Sequence, residues 1–244
     1  MLVNQNVDSY DRQTSEYIVA YIDLLGVTSK IKDVDSQNLS MNILHNLYTH
    51  TIDIMKEIAI DGLRDVEFKI FSDNIIIAKK LSKTTEERQN DIKCLFMYAA
   101  HLQELAASDA AGWMLRGGIT IGQLYIDDII VWGEALLKSY SLENNVAIYP
   151  RVIIDNDIVS QIKGTSNEEY LRKDFDNLYF LNYLHNCHFC GRFLEQGFEI
   201  MKKDIGTKID DEKMYQKFCW HMNFINSELD RKNEKQDKNY RLKL

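Results

Sequence analysis

Two β-forming runs, Val66–Phe71 and Asn74–Ala78, are separated by only Ser72 and Asp73. Two residues leave room for a tight hairpin and little else, so the runs lie antiparallel with Asp73 at the tip. Upstream, Tyr17–Leu24 is a dense β-forming run that alternates only weakly, as a strand covered on both faces does, and Gly26 ends it. Between that run and the hairpin, Ile43, Leu47, Ile54, Met55 and Ile58 keep helical spacing, which predicts an amphipathic helix over 38–60 with Asn38 as its N-cap. A second helix is predicted over 86–107, with Ile92, Leu95, Ala99 and Leu102 on its inner face. A strand over 114–121, a β excursion through Tyr125 and Ile129 to Trp132, a helix over 134–144 opened by Gly133, and a short strand over 152–154 follow.

The order β-α-β-β-α-β is the split unit of α+β, ferredoxin-like folds, whose antiparallel sheet carries helices on one face. In that topology the first strand neighbours the central hairpin. Asp23, at the end of Tyr21-Ile22-Asp23-Leu24-Leu25-Gly26, then shares one end of the sheet with Asp73. An ionised carboxylate leaving an apolar strand loses hydration at a cost of several kcal/mol, unless a cation, a hydrogen-bond network or a raised pKa offsets it. Two such groups converging point to a divalent cation. Oxygen ligands with no Cys or His beside them favour magnesium or manganese. The competing reading makes one aspartate a turn residue and the other a helix cap.

A chain of 244 residues with one proline, 11 glycines and no Gly/Ser/Pro-rich stretch offers no visible linker. We read one domain: a polar segment over 1–16, a core over 17–155, and a mostly helical extension over 156–244 that includes a helix from Met214 to Leu229. Met1–Thr14 lacks the pattern of a secretory signal and no apolar run is long enough for a membrane span, so a soluble, cytoplasmic protein with no membrane contact is expected. The net charge of -8 argues against nucleic acid as a partner. Four cysteines fit a reducing compartment. Cys187 and Cys190, with Cys219 and His221, have the residue types of a structural zinc site, but the second half lacks the usual spacing, so zinc is not expected.

Four ordered motifs over Tyr17–Asp155 resemble the catalytic core of class III nucleotidyl cyclases. They are Asp23-Leu24-Leu25-Gly26-Val27, Ser72-Asp73, Leu115-Arg116-Gly117-Gly118-Ile119-Thr120-Ile121-Gly122 and Gly133-Glu134-Ala135-Leu136-Leu137. Within that class, Leu115–Gly118, Ser139–Glu143 and Tyr149-Pro150-Arg151-Val152 most resemble the stand-alone pyrimidine cyclases of bacterial Pycsar antiphage systems.

The resemblance implies roles position by position. Asp23 and Asp73, with the backbone carbonyl of Leu24, bind two divalent ions, manganese or magnesium. Backbone N–H groups of Leu25, Gly26, Val27 and Thr28 cradle the β- and γ-phosphates. Lys69 and Ile130 stand where the class reads the base. Adenylate cyclases place Lys and Asp there, so Ile130 departs from that pattern and is compatible with a pyrimidine. The transition-state Asn and Arg of the class fall on Leu137 and Ser141, so a cation must come from elsewhere. Arg116, Lys138 and Arg151 are candidates, with Lys138 preferred. Because class III sites form between two catalytic domains, a homodimer with two equivalent shared sites is implied. The implied reaction converts UTP or CTP to the 3′,5′-cyclic monophosphate, a second messenger read by a separately encoded effector. The alternatives are a purine cyclase and a non-catalytic nucleotide-binding module.

Overall fold

The computed structural model describes residues 12–27, 30–57, 65–185, 191–206 and 212–236. Its organising strand is β1 (Ser15–Leu24), which is paired along both edges. On one side lies the hairpin of β2 (Val66–Phe71) and β3 (Asn74–Lys80); on the other lies β4 (Leu115–Ile126), also antiparallel. With α1 (Val34–Glu57) and α2 (Thr85–Ala107) in the connections, these strands run β2-β3-β1-β4, the order expected of the split unit. The hairpin turn is Ser72-Asp73, with Phe71 opposite Asn74 and Ser72 at φ 56°, in the left-handed region.

β1 is buried on both faces, which explains its weak alternation. Ile18, Ala20 and Ile22 join Ile75, Ile77, Ile92 and Phe96 in the larger core beneath α1 and α2, while Val19 and Tyr21 join Ile76, Ala78 and Leu124 on the opposite face. That second face is covered by α3 (Glu134–Asn145), which follows the two-residue strand β5 (Val131–Trp132) and packs against β4 and β1. The approach is close because β4 carries Gly118. A Cβ there would lie 2.4 Å from Leu142 Cβ and 2.6 Å from the Ser139 carbonyl.

α1 begins four residues ahead of the expected N-cap. Ser36 N–H donates to Asp33 Oδ1 (2.8 Å) and Asp33 N–H donates to Ser36 Oγ (3.1 Å), so the reciprocal cap is built on Asp33 rather than Asn38. Residues 58–60 of the predicted helix lie outside the described residues.

The extension adds more than helices. After β6 (Val152–Ile154), which runs parallel to β4, and α4 (Asn156–Ile162), a 3₁₀ turn leads into β7 (Leu171–Lys173) and β8 (Tyr179–Leu181), which continue the sheet from β6. Three-residue strands are too short to register as a period. α5 (Gly191–Gly206) and α6 (Glu212–Gln236) follow. α6 is anchored by Glu228, which accepts from Asn182 Nδ2 (3.0 Å) and lies 3.2 Å from Arg172 Nε, and by His221, whose Nε2 lies 2.7 Å from the Tyr183 hydroxyl. Among the described residues no helix is long and apolar enough to cross a membrane.

Gly118→Ala forces α3 off β4, and backbone on the far side cannot yield. We expect a loss of about 1–3 kcal/mol, read as a lower Tm in a thermal melt. A second test uses His221. Burial pushes its imidazole down to about 4. The unfolded chain therefore takes up a proton near the ordinary value of about 6.5 that the folded chain refuses until much lower pH. Stability is level above that value and falls on acidification, by about 2 kcal/mol at pH 5. Melts between pH 7 and 5 should show this decline, and His221→Phe should lack it.

Candidate active site

The register of β1 sets Asp23 opposite Asn74 on one side and Arg116 on the other. By strand alternation Asp23 leaves the sheet on the same face as Val19 and Tyr21, beneath α3. There Arg116 Nε donates to Asp23 Oδ2 (3.1 Å), and Arg116 Nη2 lies 2.7 Å from Glu143 Oε1, on the last turn of α3. Glu143 is buried, and its Oε1, though in ion contact, is out of line for a hydrogen bond.

Asp73 is stitched to the end of β1 by its own backbone, whose carbonyl accepts from Leu24 N–H (3.1 Å). The two aspartates expected to converge therefore stand at one end of the sheet. Their proximity has an electrostatic signature. Burial raises the Asp23 carboxyl above its ordinary value, Asp73 raises it further, and Arg116 and Lys217 pull it down. Burial likewise raises Glu143, with Arg116 and Lys217 opposing and Asp23 and Asp73 adding to the rise. Among the described residues three carboxylates share two basic side chains, Arg116 and Lys217, so this part of the cluster is short of positive charge. Hard oxygens in an under-neutralised cluster suit a hard divalent cation, and Asp23 and Asp73 are its less buried end.

Beside this cluster, on the same face, lies a groove lined by Tyr21, Lys69, Phe71, Asp128, Leu137 and Tyr140. Tyr21 meets Phe71 and Tyr140 edge-on, with ring centroids 6.5 and 5.4 Å apart. Lys69 Nζ lies 3.8 Å from Asp128 Oδ1. Ile130, expected to face the base, instead spends its backbone on a turn. Its N–H and that of Ile129 donate to Asp127 Oδ1 at 2.7 and 2.8 Å, which brings Asp128 round to Lys69.

Not all of the residues expected around the phosphates are brought to the Asp23 cluster within one protomer. The Leu25 N–H donates to the Met114 carbonyl (2.9 Å), so it is not available to a phosphate. Gly26 turns the chain at φ 80° and Val27 packs on the core; Thr28 lies outside the described residues. Arg151 is wholly buried, ion-paired with Asp174 and Asp176 and set over the rings of Tyr149 and Trp220, so it is structural. Lys138 is not brought to Asp23. Its ammonium lies 2.6 Å from Glu134 one turn earlier, and Asp155 and Asp157 hold it on that side. Cys187 and Cys190 lie outside the described residues, while His221 is engaged by Tyr183.

Two residues of the cluster escaped sequence reasoning. Glu143 had a readable signal, since Ala135, Ser139 and Glu143 share the buried stripe of α3 at four-residue spacing, and a carboxylate there needs a compensating partner or a raised pKa. Lys217, on α6 nearly two hundred residues from Asp23, had none.

No protein-family model matches the chain, and no curated protein matches it. Solved structures do. The monomeric guanylyl cyclase domain of the RhoGC fusion protein from the aquatic fungus Blastocladiella emersonii is similar with a TM-score of 0.51 at 13% identity, covering 70% of this chain and 96% of that one. The guanylyl cyclase Cya2 matches with a TM-score of 0.47 at 12% identity, over 70% of this chain and 93% of that chain. The adenylyl cyclase CyaB from P. aeruginosa matches at 0.41 and 16%, over 70% and 94%. At these identities the likeness concerns architecture, and the first of them carries it: this chain has the fold of a nucleotidyl cyclase catalytic domain.

Proposed function

We propose that the chain is a nucleotidyl cyclase acting on a pyrimidine nucleoside triphosphate, UTP or CTP, to give the 3′,5′-cyclic monophosphate and diphosphate. The observation that carries this reading is the meeting of Asp23 and Asp73 at one end of a cyclase-type sheet, in a cluster short of positive charge. Asp23, Asp73 and the Leu24 carbonyl are the ligands for two divalent cations, manganese or magnesium. When bound, these promote loss of the ribose 3′-hydroxyl proton and neutralise phosphate charge. The chain's own residues supply the rest. Arg116, held between Asp23 and Glu143, is the cation in direct contact with a proposed metal ligand, and it is the one assigned to phosphate charge. Gly26 and Val27 turn the backbone beside it. The rings of Tyr21, Phe71 and Tyr140 offer an aromatic wall for a base, and Lys69 offers a donor to a base oxygen.

The groove is open on one side, and its rim is apolar. Ile129 is 89% exposed and Leu137 69%, a large apolar surface for a face that stays in water. A second copy of the chain covers it in our reading. Isologous pairing joins the groove of each protomer to the aspartates of the other, and it turns the exposed α3 residue Lys138 toward the partner's phosphates. The sequence likeness to the Pycsar cyclases is what supports antiphage signalling through a separately encoded effector. A purine substrate is the second reading, favoured by the carboxylate of Asp128 beside Lys69.

With manganese and each of four labelled triphosphates, the expected major product is cyclic UMP or cyclic CMP; dominant cyclic AMP or GMP overturns the pyrimidine assignment. Asp73→Asn should reduce turnover more than ~100-fold, beyond the loss of an outer-shell partner. A wild-type rate equal to that of Asp73→Asn with every triphosphate would leave a nucleotide-binding module. Glu143→Gln releases Arg116 onto Asp23, where it competes with the cation. The manganese concentration for half-maximal rate is expected to rise roughly 10-fold.

A further inference from the structure

Asp73 does not stand alone at the hairpin tip. Asn74 Nδ2 donates to Asp73 Oδ1 (3.2 Å), and the Tyr21 hydroxyl donates to Asn74 Oδ1 (2.8 Å). Only one orientation of the amide satisfies both contacts. An ionised carboxylate can only accept, so the NH₂ must face Asp73; the amide oxygen then faces Tyr21, and the phenol must be the donor. Tyr21 itself is fixed: its ring is 6% exposed, packed with Val19, Ile76 and Ala78, and flanked by Phe71 and Tyr140. The same ring lines the groove. One side chain thus touches both the groove and, through one amide, the carboxylate at the sheet end.

We propose that Tyr21 and Asn74 are positioning residues that aim the Asp73 carboxylate, and that through Tyr21 the occupancy of the groove alters the affinity of the carboxylate pair for a divalent cation. The proposal rests on the reading of Asp23 and Asp73 as cation ligands and of the groove as the base site. Its physical basis is the outer-shell effect: a ligand whose free oxygen is tethered spends less of its time misdirected, and losing such a tether typically costs 10–100-fold in metal affinity. The coupling is reciprocal, so a cation at the aspartates must in turn alter affinity in the groove. In a homodimer with shared sites, the groove and the aspartates of one protomer serve different sites. The link therefore joins two active sites rather than two halves of one.

The test reads manganese binding directly, by electron paramagnetic resonance of the free ion in a titration of the full chain, without turnover. Tyr21→Phe and Asn74→Ala are each expected to weaken binding roughly 10-fold, and the double variant no further, because both cut one chain. Asp73→Asn gives the floor, and Ile76→Val, a packing change on the same face, should bind as wild type. Wild-type affinity in Tyr21→Phe and Asn74→Ala overturns the positioning role, as does additivity in the double variant or an equal loss in Ile76→Val. Manganese binding that survives Asp73→Asn overturns the cation reading itself, a result distinct from those. Repeating the titration with saturating uridine, cytidine, adenosine or guanosine tests the link. At least a twofold shift with one nucleoside in wild type, absent in Tyr21→Phe, supports it. No shift with any nucleoside overturns the link and leaves the positioning role to the first titration.

Discussion

The double pairing of β1 holds the candidate site together. Asp23 is fixed in place by register partners on both sides, Asn74 and Arg116, and the next residue is tied to the hairpin tip. Register on such a strand is an all-or-nothing property. A slip of one residue would turn Asp23 into the core with Ile18 and Ile22 and bring an isoleucine to the charged cluster. The apolar composition of both faces of β1 thus does chemical as well as structural work, since packing energy on two sides holds a carboxylate where solvent alone would not keep it.

Charge compensation is the second constraint. Glu143, Asp23 and Asp73 are drawn together by three separate elements, and the basic groups that answer them come from two more, Arg116 from β4 and Lys217 from α6. Removing one partner from a buried set of this kind costs more than the pair contributes, because the remaining charge is stranded. The extension after β6 is therefore electrostatically part of the core. α6 is fastened through Glu228 and His221, and this fastening sets where Lys217 stands.

The architecture was largely legible because its signals are local. A two-residue turn between β runs and helical periods of twenty residues or more leave few alternatives, and the hairpin, both long helices and the order of the first four strands follow from them. The meeting of Asp23 with Asp73 was legible for the same reason. What the sequence hid was decided by single contacts. Leu25 looked available for phosphate until Met114 took its N–H, and Ile130 held the expected place until the Asp127 turn brought Asp128 to Lys69. β7 and β8 were hidden by brevity, Lys217 by distance along the chain.

The turn residue Ser72 carries a consequence for the backbone beneath Asp73. It holds φ 56°, where a side chain costs roughly 1–2 kcal/mol that glycine avoids while losing more backbone entropy on folding. Exchanging it for glycine relieves that strain but frees the loop that presents Asp73, while keeping serine leaves the carboxylate on a stiffer mount. Strain in the turn and stiffness of the mount beneath Asp73 are therefore two aspects of one backbone conformation.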